Sequence, residues 1–197
     1  MDRPNKNVAR GEATRSQLLT IATRMFAEHG YEDTSIEAVL REAGVSRGSL
    51  YHHFASKEAL FEAVAEEVET SVGEQTLAAA AGADSPVAAL RAGSLNWIRL
   101  AGEPVVQRIL LIDAPSVLGW ERWRAMEEQH ALGGIKAILH VIADQGKLRP
   151  ELADTLAHVL LASVNEVALL VARAPDKEAA MKDGAAAIDE LLRRLFA

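Results

Sequence analysis

The chain contains no cysteine. Disulfide staples, Cys-ligated zinc, iron–sulfur clusters and thiol nucleophiles are therefore all excluded, and a reducing compartment, the cytoplasm, is the expected location. Aromatic residues are few, 5% of the chain, and none of the 3 tryptophans precedes Trp97. Long apolar runs are missing as well. The longest segment free of charge, Thr155 to Asn165, has 11 residues, against the roughly 20 needed to cross a bilayer. The opening Met1-Asp2-Arg3-Pro4-Asn5-Lys6 has no apolar core of a secretory signal, so no membrane partner is expected. Basic charge is in deficit: the net charge of -7 argues against nonspecific polyanion binding by the whole molecule. The deficit is uneven, because residues 1–60 hold 8 Lys/Arg and 8 Asp/Glu. All the excess acid lies beyond them, and a polyanion would meet the N-terminal third.

With 197 residues, 49% of them hydrophobic and 25% charged, the chain suits one compact unit or two small domains sharing a core. Alternating β-branched runs with hairpin turns are absent, while Ala, Leu, Glu and Arg recur at helical spacing, so the fold class is all-α. The five prolines after Pro4 (Pro86, Pro104, Pro115, Pro150, Pro175) stand where apolar helical patterns start or stop, never inside one. A polar tail, residues 1–11, is expected to fray. A capping box, Thr14 with Gln17, opens a first helix that buries Leu18, Ile21, Ala22, Met25 and Phe26 and closes at Gly30, with Tyr31 folding back on it. A second box, Thr34 with Glu37, opens a short helix carrying Ile36, Val39 and Leu40, which stops at Gly44. Ser46 caps a third helix, Arg47 to His53, and Ser56 a fourth, from Lys57 to about Leu77.

Two short helices joined by a glycine turn are the helix-turn-helix pattern, here over about residues 35–53. Val45 and Leu50 point inward, which leaves Arg47, Gly48, Ser49, Tyr51, His52 and His53 facing out. Such a helix fits the major groove, about 12 Å wide, where Arg can bond guanine bidentately and Ser can reach several base edges. Gly48 lowers helix propensity by about 1 kcal/mol relative to Ala, which is understandable if a side chain there would strike DNA. Tyr51 and Lys57, with the positive end of the fourth helix, suit phosphates.

Thr34 to Leu60 resembles the N-terminal domain of TetR-type transcriptional repressors. Ala43-Gly44-Val45-Ser46, Gly48-Ser49-Leu50-Tyr51, His53-Phe54 and Ser56-Lys57-Glu58-Ala59-Leu60 fall in register with that family, behind an amphipathic helix ending in Gly-Tyr. The resemblance implies base-reading positions at Arg47, Gly48 and Ser49, and DNA-backbone contacts from Tyr51, His53 and Lys57. Thr34, Ser46 and His52 complete the expected DNA-binding set. Leu40 departs from the pattern, standing where such proteins usually have alanine.

Residues 61–197 read as an effector-binding and dimerisation domain behind the DNA-binding domain, residues 1–60. Its helices are expected at Pro86 to Ala101, Pro104 to about Ile112, about Trp120 to Asp144, Glu151 to Arg173 and Asp176 to Phe196. Leu111-Ile112-Asp113-Ala114-Pro115 with Leu118-Gly119-Trp120 looks like one subset of the family. Trp97, Leu100, Leu111, Trp120, Trp123, Met126, Asn165 and Glu166 either line a small-molecule cavity or pack the core. Glu166, in an apolar helix, either faces water or has a partner. Glu127 with His130, and Asp154 with His158, have one-face spacing but read as chance surface pairs, so no metal and no cofactor is expected. Apolar faces containing Leu156, Leu160, Val164, Val167, Ile188, Leu191, Leu192 and Leu195 suit a twofold four-helix interface, or an intramolecular core.

These features point to a homodimeric regulator that binds a double-stranded DNA operator and leaves it when a small-molecule effector binds. Two recognition helices must stand a DNA turn apart, roughly 34 to 36 Å, or a multiple of it, and an effector that prefers another spacing lowers affinity. An enzyme is not expected, because no convergent acid/base set, phosphate loop or nucleophile elbow occurs. The rival is a helical protein-interaction adaptor, which would leave Arg47, Gly48 and Ser49 unexplained.

Overall fold

Serine side chains set the helix starts in the first half of the chain. Helices α2 (Ile36–Ala43), α3 (Arg47–His53), α4 (Lys57–Ala80) and α5 (Pro86–Ala101) each begin behind a serine. The hydroxyls of Ser35, Ser46, Ser56 and Ser85 accept the N–H three residues on at 3.0 to 3.2 Å, each contributing about 1 kcal/mol. The computed structural model describes residues 6–196, so the first five residues of the expected tail lie outside the described residues.

Two expected capping boxes are not used. Helix α1 (Lys6–Asp33) is already helical before Thr14. The Thr14 hydroxyl donates back to the Arg10 carbonyl at 3.0 Å, and the Gln17 amide reaches the Ala43 carbonyl at 3.1 Å, tying α1 to the end of α2. At α2 the cap is Ser35, not Thr34. The Thr34 hydroxyl is 1% exposed and donates to the Gly30 and Met25 carbonyls at 2.7 and 3.2 Å, because the open last turn of α1 offers those acceptors first. Gly30 breaks α1 with φ 81° and ψ 172°. A Cβ there would overlap the Arg108 guanidinium, 1.7 Å from its nearest nitrogen.

The second half runs through α6 (Pro104–Val106), a first π segment (Gln107–Asp113), α7 (Ala114–Glu127), a second π segment (Glu128–Leu132) and α8 (Gly133–Asp144). A 3-10 turn (Pro150–Leu152), α9 (Ala153–Arg173) and α10 (Lys177–Phe196) complete it. Contrary to expectation, Pro115 lies inside a helical rod that continues to Leu118, and the break comes at Gly119, with φ 76° and ψ 165°. The first π segment ends two residues before Pro115. Its wider turn takes up the carbonyl that the proline ring would strike and the N–H it lacks.

Two cores result. The first joins α1 to α4 with α6, the first π segment and α7 through Leu18, Phe26, Val39, Leu50, Phe61 and Ile109. Phe26 and Tyr31 meet the Phe61 ring edge-on at 5.1 and 5.2 Å, and each fully buried large side chain contributes about 2 to 3 kcal/mol. Leu40 packs half-buried against this core. The second joins α5, α8, α9 and α10, and Trp97 touches both. The expected boundary after residue 60 falls inside α4. Pro150–Arg173 is long and apolar enough to cross a membrane by composition, but packs against α5, α8 and α10.

The same packing shows what covers the apolar faces expected at a dimer interface. Leu160, Val164, Ile188 and Leu192 are buried in the second core of the single chain, and Leu156, Val167 and Leu191 lie half-buried against it; Leu195 is half-buried too. The large apolar side chains that α9 leaves in water are Val159 and Leu170, 48% and 62% exposed.

Candidate DNA-reading surface and effector region

Helix α3 is short, and Leu50, fully buried, fixes which face it turns outward. Arg47, Gly48, Tyr51 and His52 are exposed, Ser49 and His53 half-exposed. Arg47 pairs with Glu37 of α2 across the solvent-exposed surface and lies 6.0 Å from the Tyr51 ring. Such an exposed pair holds the side chain at a cost of under about 1 kcal/mol to release. A Cβ at Gly48 would meet only the Ser46 hydroxyl, at 3.9 Å. Nothing in the protein's own packing requires glycine there, and the space above it is open. Ser46 spends its hydroxyl oxygen capping α3. Lys57 donates to the Glu32 carbonyl at 3.3 Å and sits 4.1 Å from the Tyr31 ring centre. Thr34, being buried, is not part of this surface.

Helices α1 to α3 are tied to the rest of the chain at a point that spacing does not reveal. The Asp113 carboxylate, buried in the first π segment, accepts the Tyr31 backbone N–H at 2.8 Å and Arg108 Nε at 3.1 Å. Since the Arg108 guanidinium fills the place of a Gly30 side chain, the end of α1 and the π segment interlock. Arg122 of α7 reaches Glu58 and Glu62 of α4. Helix α4 itself runs unbroken from the N-terminal core into the larger helical part.

The expected effector residues divide. Trp97 Nε1 donates to Asn165 Oδ1 at 2.8 Å, and Asn165 Nδ2 to Glu127 Oε1 at 3.5 Å. Leu100 and Met126 are buried in the first core, Trp123 lies half-buried against it, and Leu111 packs against the second. Trp120, 65% exposed, lies outside: its ring is tilted against Trp123 at 5.4 Å, under the Arg124 guanidinium. Glu166 faces water, which resolves its cost, and it shares an α9 stripe with Val159, Ser163 and Leu170.

Two acids that spacing did not single out as site residues are buried here. Glu127, read as half of a surface pair with His130, is buried and held by Arg124 at 2.7 Å. Burial raises its pKa, and Arg124 opposes that rise. Glu69 of α4 is pushed up to about 7 by burial, then by the charges of Glu127 and Glu66. His130 bonds Glu66 at 3.1 Å, and Asp154 takes His140 at 2.8 Å. Among the described residues no group of three or more such side chains could hold a metal ion. The second π segment directly follows Glu127, and a Cβ on Gly133 would stand 2.6 Å from the Glu128 carbonyl, so glycine is what lets the widened turn close. An open groove of about 890 Å³ runs along α4 from Arg15 and His53 to Glu74 and His130.

Comparison with known proteins covers both parts. The family model described as bacterial regulatory proteins, tetR family, matches residues 18–64, and the one described as tetracyclin repressor-like, C-terminal domain, matches residues 87–195. A TetR-family transcriptional regulator from Pectobacterium atrosepticum is 32% identical, with a TM-score of 0.79 over 96% of this chain and 97% of that one. The HTH-type transcriptional repressor AcnR of Corynebacterium efficiens is 26% identical over 157 residues, 77% of each chain. AibR, solved in complex with isovaleryl coenzyme A and operator DNA, shares the fold at 23% identity, with a TM-score of 0.66 over 93% of this chain and 98% of that one.

Proposed function

The chain belongs to the TetR family and is a helix-turn-helix DNA-binding regulator of transcription; from that premise we propose that it is a homodimeric repressor, released from its operator when a small molecule binds the larger helical part. The observation that carries the DNA-reading role is the α3 surface. Arg47, Gly48, Tyr51 and His52 are exposed around a buried Leu50, with open space where a Gly48 side chain would stand. Arg47 reads a base and Tyr51 and Lys57 hold phosphates, which fits donors placed on a helix able to enter the major groove.

Release follows from connectivity. An effector lying against α4 and α7 acts on a helix that ends at the DNA-reading core, and the Asp113 interlock with Tyr31 transmits the same movement to α1. The effector lowers operator affinity by its differential binding to the two helix spacings. The AibR complex, which holds a ligand and operator DNA, supports this division of labour. The second copy docks on the α9 stripe of Val159, Ser163, Glu166 and Leu170, with α10 beside it. Exposed leucine and valine on one line are what a twofold helical interface would cover.

The test is operator selection from genomic fragments, then gel shifts at several salt concentrations. A dimer-sized complex on one palindromic site, weakened by Arg47→Ala, is expected. Binding indifferent to sequence, or unchanged in the Arg47 variant, refutes the reading.

A further inference from the structure

Glu69 is a buried carboxylate with no counterpart among the described residues. It is 7% exposed, and among the described residues it makes no hydrogen bond or ion pair. Its neighbours are all partnered: Glu66 with His130 at 3.1 Å, Glu127 with Arg124 at 2.7 Å and with Asn165 at 3.5 Å. An unpaired buried carboxylate is strongly unfavourable. Yet among the described residues no fully sealed side-chain N or O atom lacks a partner, so the Glu69 oxygens keep a little accessible surface, enough for a polar group to reach. Glu66, three residues back on the same helix, lines the open groove along α4, which places Glu69 about one turn from solvent.

Charge and walls then define what fits. The charges that act on Glu69 are those of Glu127 on α7 and Glu66 on its own helix; Glu127 is held by Arg124 and by the Asn165 amide, which Trp97 bonds in turn, and Glu66 by His130 on the second π segment. Three carboxylates face one guanidinium and one imidazole, so a positive charge is missing even with His130 protonated. All the net acid of the chain lies in this larger part, which steers cations toward it. We infer that the effector is an organic cation, its ammonium or amidinium group held between Glu69 of α4 and Glu127 of α7, and its apolar body set against Trp97. This rests on the regulator reading above and names the ligand class of that site. A cation bridging the two carboxylates draws α4 toward α7 at a point twelve residues, about 18 Å, along α4 from Lys57, and so shifts the helix that carries the DNA-reading end.

Calorimetry on the full chain with phenethylammonium, and with phenethyl alcohol and phenylacetate as neutral and anionic counterparts, tests this. At about pH 8 the ammonium should bind roughly tenfold tighter than the alcohol and phenylacetate should not bind. Glu69→Gln, checked for folding by melting, should bring the ammonium down to the alcohol. In the unaltered chain, ammonium binding should release close to one proton at about pH 6 and almost none at about pH 8.5. That readout holds even if the variant does not fold. Equal or tighter binding of the alcohol or the acid, a preference that survives in Glu69→Gln, no proton release, or no ammonium binding at millimolar concentration overturns the inference. Operator gel shifts of unliganded protein separate the two claims: lost DNA binding fails the regulator reading, whereas intact DNA binding without cation preference fails this one alone.

Discussion

Replacing Glu69 by Gln should stabilise the protein at alkaline pH and leave it nearly unchanged in mild acid. Burial and the Glu127 charge raise the Glu69 pKa from 4.5 to about 7 in the folded chain. The folded state therefore holds its proton where the unfolded chain has lost it, and stability falls as pH rises from about 4.5 through 7. Above about pH 8 the full penalty is present: two and a half pKa units at 1.36 kcal/mol each, about 3 kcal/mol. At about pH 5 less than about 1 kcal/mol of it applies. The neutral, isosteric amide removes the charge but keeps a polar burial cost, so about 3 kcal/mol is the ceiling of the gain. In a chain of this length that is roughly 6 to 12 °C in Tm. Urea unfolding of both proteins at about pH 5 and pH 8 measures it, and taking the difference between them cancels the titrating groups that do not interact with Glu69. If Glu69→Gln shows the same pH dependence as the parent, or is less stable at pH 8, the carboxylate is not buried and unpaired as described.

Arg47→Ala should cost about 1 to 3 kcal/mol of operator affinity and relax one base position, whereas Lys57→Ala should weaken all sequences alike and flatten the salt slope by about one; competition gel shifts distinguish the two. Asp113→Ala leaves the Tyr31 N–H and Arg108 without their acceptor. It should lower stability by about 1 to 3 kcal/mol and blunt effector-driven release more than operator binding, read by titrating the effector against a preformed DNA complex. Leu170→Glu, on an exposed position, should yield folded monomers by light scattering and circular dichroism, while Leu160→Glu, in the second core, should unfold the chain. A dimer that survives Leu170→Glu places the interface elsewhere.

Much of the N-terminal architecture was readable because its signals are local. Gly30 and Gly44 stop helices, Ser46 and Ser56 start them, and apolar residues at helical spacing put Leu50 inside and Arg47, Tyr51 and His52 outside. These depend on residues within about one turn of each other, and they converge on one motif. Where two local signals compete, local reasoning chose Thr34 and the structure uses Ser35. Thr34 and Ser35 are both good caps, and which of them caps depends on where the end of α1 leaves free carbonyls. Pro115 reads as a helix boundary until a π segment absorbs it.

The residues that tie the two parts together were beyond such reasoning, because their partners are far along the chain. Tyr31 meets Asp113 across 82 positions, Trp97 meets Asn165 across 68, and Glu66 meets His130 across 64. The periodicity of α9 and α10 marks apolar residues but not what covers them, and Leu160, Val164, Ile188 and Leu192 turned out to be covered by their own chain. The sequence by itself determined the helical class, the short helix α3 and its outward-facing donors, since helix propensity, capping and the 3.6-residue period act between neighbours. Only the tertiary structure decided that Glu69 is buried with no partner among the described residues, that Trp120 and Glu166 face water and that Asp113 holds the end of α1. Burial and pairing are set by which distant segments pack together, and no short-range pattern records that.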